Sequence, residues 1–129
     1  NGLTGTIPTQ IGSMERLGDF SEDYEFFLCD CDLFEPPRFM NFKAVLDLSD
    51  NELGGTLPSE LGLLTVLGGL HLSGNGLTGT IPTQISNMVW LGQLDLSDNE
   101  FSGTIPSEFG LIANLTFLDL SGNGLTGTI

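Results

Sequence analysis

Pairs of leucines separated by one polar residue recur along the chain at one fixed interval: Leu46/Leu48, Leu70/Leu72, Leu94/Leu96 and Leu118/Leu120. This alternation predicts a short strand with one buried face, turning Asp47, His71, Asp95 and Asp119 outward between the leucines. Three positions after each second leucine stands an asparagine: Asn51, Asn75, Asn99 and Asn123. Its amide both donates and accepts, so a stack of such residues can satisfy backbone groups where the chain turns inward. An apolar residue, a glycine and an Ile/Leu-Pro pair follow (Leu57-Pro58, Ile81-Pro82, Ile105-Pro106). Glycine permits tight geometry and proline rules out helix continuation there.

One such unit cannot bury its own apolar face, but stacked units share a continuous core. The segment NGLTGTI stands at Asn1–Ile7, Asn75–Ile81 and Asn123–Ile129, so both ends of the sequence fall in mid-period. The expected organisation is a single array over 1–129 of about five repeats, irregular at 18–42 and uncapped at both ends. An uncapped solenoid end exposes core leucines and strand edges. It therefore suits a slice of a longer array, or a protomer that stacks end to end.

The full pattern, L-x-x-L-x-L-x-x-N-x-L-x-G-x-I-P-x-x-L-G-x-L, resembles the leucine-rich repeat in its plant-type form over Lys43–Ile129, and Asn1–Leu17 fits the same phase. The resemblance implies an α/β-type solenoid: a right-handed coil with a parallel sheet on its concave face, few regular helices, and a second short strand around G-x-I-P. It also implies an extracellular or cell-surface setting. Flanking paired-cysteine caps, usual for such arrays, are missing from this sequence.

The interval from Asn1 to Asn51 is slightly longer than a pair of periods. Phe26, Leu28, Cys31 and Leu33 align with Leu46, Leu48, Asn51 and Leu53 at a constant offset. Because leucine-rich repeats commonly accept Cys at the Asn position, Cys31 reads as an inward ladder residue. The stretch then divides into two coils, the first enlarged around Gly18–Glu25 and the second trimmed after Leu33. The alternative is a single insertion spanning Asp19–Asn41. Cys29 and Cys31 lie too close in sequence to pair without strain, which favours reduced thiols over an intermolecular disulfide or metal contact through Cys29.

Charge narrows the partners. Acidic residues outnumber Lys plus Arg by 17 to 3, giving a formal charge of −14, which repels phosphate backbones and anionic lipid. No apolar run reaches the ~20 residues of a membrane helix. The outward column Phe27, Asp47, His71, Asp95, Asp119 and its neighbour with Asp50 and Asp98 form a negative strip open to a cationic partner or Ca²⁺. Simple solubility of an exposed face explains the same acids. Phe27 and Phe117 are the exposed aromatic candidates for a contact, with Trp90 elsewhere on the coil.

His71 is the sole histidine, and no serine or cysteine beside it has a nucleophile's context, which argues against an enzyme. Thr6, Thr56, Thr80, Thr104 and Thr128 occupy one repeat position, with Thr4, Thr78 and Thr126 two positions before three of them. Such rows resemble the faces of solenoid ice-binding proteins, and they could equally carry O-linked sugars. Asn114-Leu115-Thr116 is the one N-glycosylation sequon, at the repeat position of Trp90 and Val66. These features point to a non-enzymatic interaction module that recognises a protein or peptide. Copies of the chain assembled end to end into a fibre, and ice binding, are the alternatives.

Overall fold

The computed structural model describes residues 2–13 and 44–127. Its strands are β1 (Thr4–Thr6), β2 (Ala44–Asp47), β3 (Glu52–Thr56), β4 (Leu67–His71), β5 (Gly76–Gly79), β6 (Gln93–Asp95), β7 (Glu100–Gly103), β8 (Phe117–Asp119) and β9 (Gly124–Leu125). Two parallel sheets result: a main sheet β2-β4-β6-β8 built from the L-x-L segments, and a second sheet β1-β3-β5-β7-β9. The second strand implied by the family resemblance is therefore present, just ahead of each Ile/Leu-Pro pair. Among the described residues there is no α-helix; 3-10 turns at Thr9–Ser13, Ser59–Leu63, Thr83–Asn87 and Ser107–Leu111 complete the coils.

Register in the main sheet follows the repeat: Leu46 lies opposite Leu70, Leu70 opposite Leu94, and Leu94 opposite Leu118. In-register stacking places each leucine against its equivalents one coil away, and Leu70, Leu72, Leu94 and Leu96 are fully buried. Leu77, Phe101, Ile85, Met88 and Leu91 fill the space between the sheets and the turns. Proline sets the corner: the carbonyls of Pro8, Pro58, Pro82 and Pro106 accept the N–H of Ile11, Leu61, Ile85 and Phe109 at 3.0–3.2 Å. The ring prevents β3, β5 and β7 from continuing and opens the 3-10 turn.

The asparagines join coil to coil. Asn99 Oδ1 accepts the Leu77 N–H of the preceding coil at 3.1 Å, and its Nδ2 donates to Leu72 O of that coil and to Leu96 O and Ser97 O of its own. Asn75 and Asn123 repeat this set, with the N–H groups of Leu53 and Phe101 as donors. Three carbonyls thus share two amide hydrogens, at a place that is buried at Asn99 and partly buried at Asn75 and Asn123.

The ladder also joins the coils on either side of the irregular stretch. Leu3 N–H donates to Asn51 Oδ1 at 3.0 Å, and Glu52 N–H to Leu3 O at 2.8 Å. β1 pairs directly with β3, Thr4 opposite Glu52, and Gly12 abuts Glu60 of the next turn. The coil of Leu3 and the coil of Asn51 are immediate neighbours. Cys29, Cys31 and the stretch Phe26–Leu33 lie outside the described residues. In the sequence, the interval from Asn1 to Asn51 exceeds one period by little more than the length of Asp19–Asn41.

Deleting 18–43 puts Asn1 and Asn51 one period apart and brings Leu17 to the repeat position of Leu67. The shortened chain is expected to keep its far-ultraviolet spectrum and a single cooperative urea transition. Loss of that cooperativity would favour the two-coil reading.

Candidate functional site

Strand pleating decides which residues the main sheet offers outward. Leucines face the core, and the alternate positions form columns across neighbouring strands about 4.8 Å apart. One column is Val45, Gly69, Gln93, Phe117 and the next is Asp47, His71, Asp95, Asp119, aligned by the strand register. Val45 and Phe117 are about half exposed, and Gln93 is exposed between Gly69 and Phe117. Gly69 is buried because the Val45 side chain leans over it.

Of the residues singled out from sequence, Asp47, His71, Asp95, Asp119 and Phe117 share this face. Phe27 lies outside the described residues. Val45 and Gln93 were missed as candidates, although each stands two positions before an outward aspartate and the alternation already marks it.

The acids are tied to the backbone that carries them. Asp95 Oδ1 accepts the Ser97 N–H at 3.0 Å and the Ser97 hydroxyl at 2.7 Å; Asp119 does the same with Ser121 at 2.9 and 2.6 Å. Asp47 Oδ1 accepts the Ser49 N–H at 3.0 Å. Each aspartate therefore closes the turn that ends its strand, which explains why an all-serine column follows the aspartates. At His71 that closure is absent from the pattern, and Ser73 Oγ donates to Ser49 Oγ at 3.2 Å instead. His71 lies in register between Asp47 and Asp95.

These bonds stabilise the charged forms. The Asp47 carboxyl is held below its ordinary value by the Ser49 N–H first and its hydroxyl second, with His71 adding a weaker pull. The Asp119 carboxyl is lowered by the Ser121 hydroxyl first and then by its N–H.

Asp50 and Asp98 have a different position. Both adopt left-handed backbone, φ 53° and 51°, and their equivalents in alternate coils are Gly74 and Gly122 at φ 66°. A Cβ built at Gly74 would meet Asp50 Oδ1, and one at Gly122 would meet Asp98 Oδ1. The Asp/Gly alternation thus has a packing cause: one coil's aspartate covers the next coil's turn, which must lack a side chain. These carboxylates lie in the turn beside the strand column. Among the described residues there is no group of three or more His, Cys, Asp or Glu that could hold a metal ion.

Two other surfaces carry the remaining candidates. Along the second sheet Thr4, Thr6, Thr56, Thr80 and Thr104 are exposed, while Thr128 lies outside the described residues. At the coil corner Val66, Val89 and Trp90 are about half exposed, and Leu111 is 76% exposed. Asn114 is exposed there too, and its Nδ2 donates to Val89 O of the preceding coil at 2.7 Å.

Models of the leucine-rich repeat match residues 44–64 and 65–125. The chain belongs to the leucine-rich repeat family. Solved plant structures agree in sequence and shape. The leucine-rich repeat ectodomain of the Arabidopsis thaliana receptor kinase GASSHO1/SCHENGEN3, in complex with CASPARIAN STRIP INTEGRITY FACTOR 2, is 35% identical with a TM-score of 0.78, covering 100% of this chain and 12% of that one. The BIR3–SERK2 complex of the same plant gives 50% identity and a TM-score of 0.63 over 64% of this chain and 45% of that one. A plant ice-binding protein gives 30% identity and a TM-score of 0.72 over 97% and 32%. This leucine-rich repeat chain therefore spans less than half the length of these neighbours. No curated protein sequence matches it significantly.

Because the Asp47 and Asp119 carboxyls are lowered in the folded chain, each adds stability that is present above the unfolded value near 3.8 and is lost as pH falls through the folded one. Carboxyl NMR titration is expected to give midpoints below 3.8 for both. Ser121→Ala should move Asp119 back toward that value and leave Asp47 unchanged; midpoints at or above 3.8 would contradict the hydrogen-bonded turn.

Proposed function

We propose that this segment is an extracellular protein-recognition module that binds an extended, basic peptide or protein segment across the outward face of β2, β4, β6 and β8. The observation that carries the reading is the pair of aligned columns, one mixed apolar and amide (Val45, Gln93, Phe117) and one acidic around His71. An extended segment crossing the strands meets a new side chain every ~4.8 Å on this face. Basicity follows from charge: all three basic residues, Arg16, Arg38 and Lys43, precede Ala44, so the stretch from Ala44 onward, which carries the main sheet, has no Lys or Arg. Supporting the reading, the GASSHO1/SCHENGEN3 ectodomain is described in complex with CASPARIAN STRIP INTEGRITY FACTOR 2, and BIR3 with SERK2. The same neighbours support the cell-surface setting. Among the described residues no helix is long and apolar enough to cross a membrane.

Panning a displayed library of short random peptides on the segment is expected to select Lys- and Arg-rich sequences. Asp95→Asn with Asp119→Asn should weaken them in a salt-dependent manner, and Phe117→Ala should weaken them at all salt concentrations. Selected peptides indifferent to these substitutions would move the site off the main sheet.

The second sheet favours ice binding as a second reading. Its threonines recur once per coil, each lying over the glycine of the next coil: a Cβ at Gly79 would lie 2.9 Å from Thr56 Cγ2, and one at Gly103 3.0 Å from Thr80 Cγ2. The result is an exposed, regularly spaced array of methyl and hydroxyl groups, and the plant ice-binding neighbour supports the reading. Measurable thermal hysteresis, abolished by Thr80→Lys, is expected on this reading; its absence together with unshaped ice crystals would end it.

A further inference from the structure

We propose that Asn114 carries an N-linked glycan whose first sugar lies on the exposed strip formed by Trp90 and Val89. The inference rests on the extracellular setting proposed above. The oligosaccharide donor is a lipid-linked diphosphate of the secretory route.

The geometry is particular to this coil corner. Asn114 and Trp90 hold the same repeat position in successive coils, with Val66 one coil further back. The chain makes a turn at Ala113-Asn114 before β8, and Asn114 is exposed in it. Nδ2 donates to Val89 O at 2.7 Å, the carbonyl of the peptide bond that leads into Trp90. The side chain is thereby directed back along the coil axis, toward the aromatic rather than into solvent. Thr116, the third residue of the sequon, lies on the same stretch, with its hydroxyl donating to Gly92 O at 3.0 Å.

The amide chemistry is compatible with this bond. In the transfer, Nδ2 bonds to the anomeric carbon of the sugar and that carbon's bond to the diphosphate breaks. The lipid diphosphate leaves, and one amide proton passes to a base of the transferase. The second amide hydrogen stays on Nδ2 and is available to donate to Val89 O in the product. A sugar held at that point spans the single-coil step of ~4.8 Å to Trp90. The apolar C–H face of a pyranose suits an indole ring, which otherwise stands about half exposed beside Val89 and Val66. The position also leaves the columns of β2, β4, β6 and β8 uncovered, because Asn114 precedes β8 at the coil corner.

The test sends the chain through a eukaryotic secretory route behind an added leader, together with Thr116→Ala and Thr116→Ser. Intact mass is read before and after peptide N-glycosidase treatment, and emission and acrylamide quenching of Trp90, the single tryptophan, are read on both forms. Wild type and Thr116→Ser are expected to lose a whole oligosaccharide mass and to retain Asp at position 114. Thr116→Ala is expected to be unglycosylated, with an unchanged far-ultraviolet spectrum. Removing the glycan should shift Trp90 emission to the red and increase its quenching. A secreted, folded wild-type chain without added mass overturns the site, and a glycan whose removal leaves Trp90 unchanged overturns its seat on the strip. Either failure leaves the peptide-binding reading to its own experiment, because the leader fixes the route whatever the natural one is.

Discussion

Everything in this fold depends on the backbone groups at the inner corner after each main strand, which face the core and lie buried or partly buried. Where the chain turns inward there, an N–H of the preceding coil and two leucine carbonyls have asparagine atoms as partners, and a serine carbonyl accepts an asparagine N–H beside the backbone N–H that it already takes. Buried and unpaired, each would cost ~1–3 kcal/mol. One asparagine side chain reaches all four. Its oxygen takes the Leu or Phe N–H of the preceding coil, and its nitrogen serves one carbonyl of that coil and two of its own. No other uncharged side chain of this length both donates and accepts through separate atoms. The step between coils is thereby fixed, and the in-register stacking of Leu70 on Leu94 follows from it.

Once the step is fixed, inward and outward positions obey different rules. Inward residues must repeat, because each packs on its own equivalent. Outward residues are free to vary provided that their turn closes, and the closure accounts for most of what stays constant outside the core. Asp95 bonds to Ser97 and Asp119 to Ser121, while Asp50 and Asp98 cover glycines of the next coil. The acidity of this surface is thus partly architectural. What differs from coil to coil is a shorter set, Val45, Gln93, Phe117 and His71, and recognition of one partner over another depends on these. The same ladder tolerates an insertion, since adjacent coils need only the Leu3–Asn51 bond and the β1–β3 pairing to stay in step.

The architecture was legible in the sequence because both of its periods were on show: alternate leucines for the strands, and the fixed interval between asparagines for the coil. The inner ladder and the second strand followed from the same positions. The stretch between Leu17 and Ala44 was less legible for a physical reason. Phe26, Leu28, Cys31 and Leu33 reproduce the apolar spacing of a coil, and spacing alone does not reveal whether the neighbours on either side already touch. The Asp/Gly alternation after each serine was also opaque, because it depends on a contact between residues one coil apart. Val45 and Gln93 are legible from the alternation alone, but they carry no charge to set them apart from the adjacent acidic column.

The central claim is that the asparagine ladder holds successive coils together, including the coils of Leu3 and Asn51. Amide hydrogen exchange of Leu3, Leu53, Leu77 and Phe101 tests it most directly, since each of these N–H groups has an asparagine Oδ1 of the next coil as its acceptor. The account predicts protection at all four, and loss of protection at Leu53 before the other three in Asn75→Ala. Fast exchange at Leu3 in the intact chain, or a Leu53 amide that stays protected without Asn75, would contradict it.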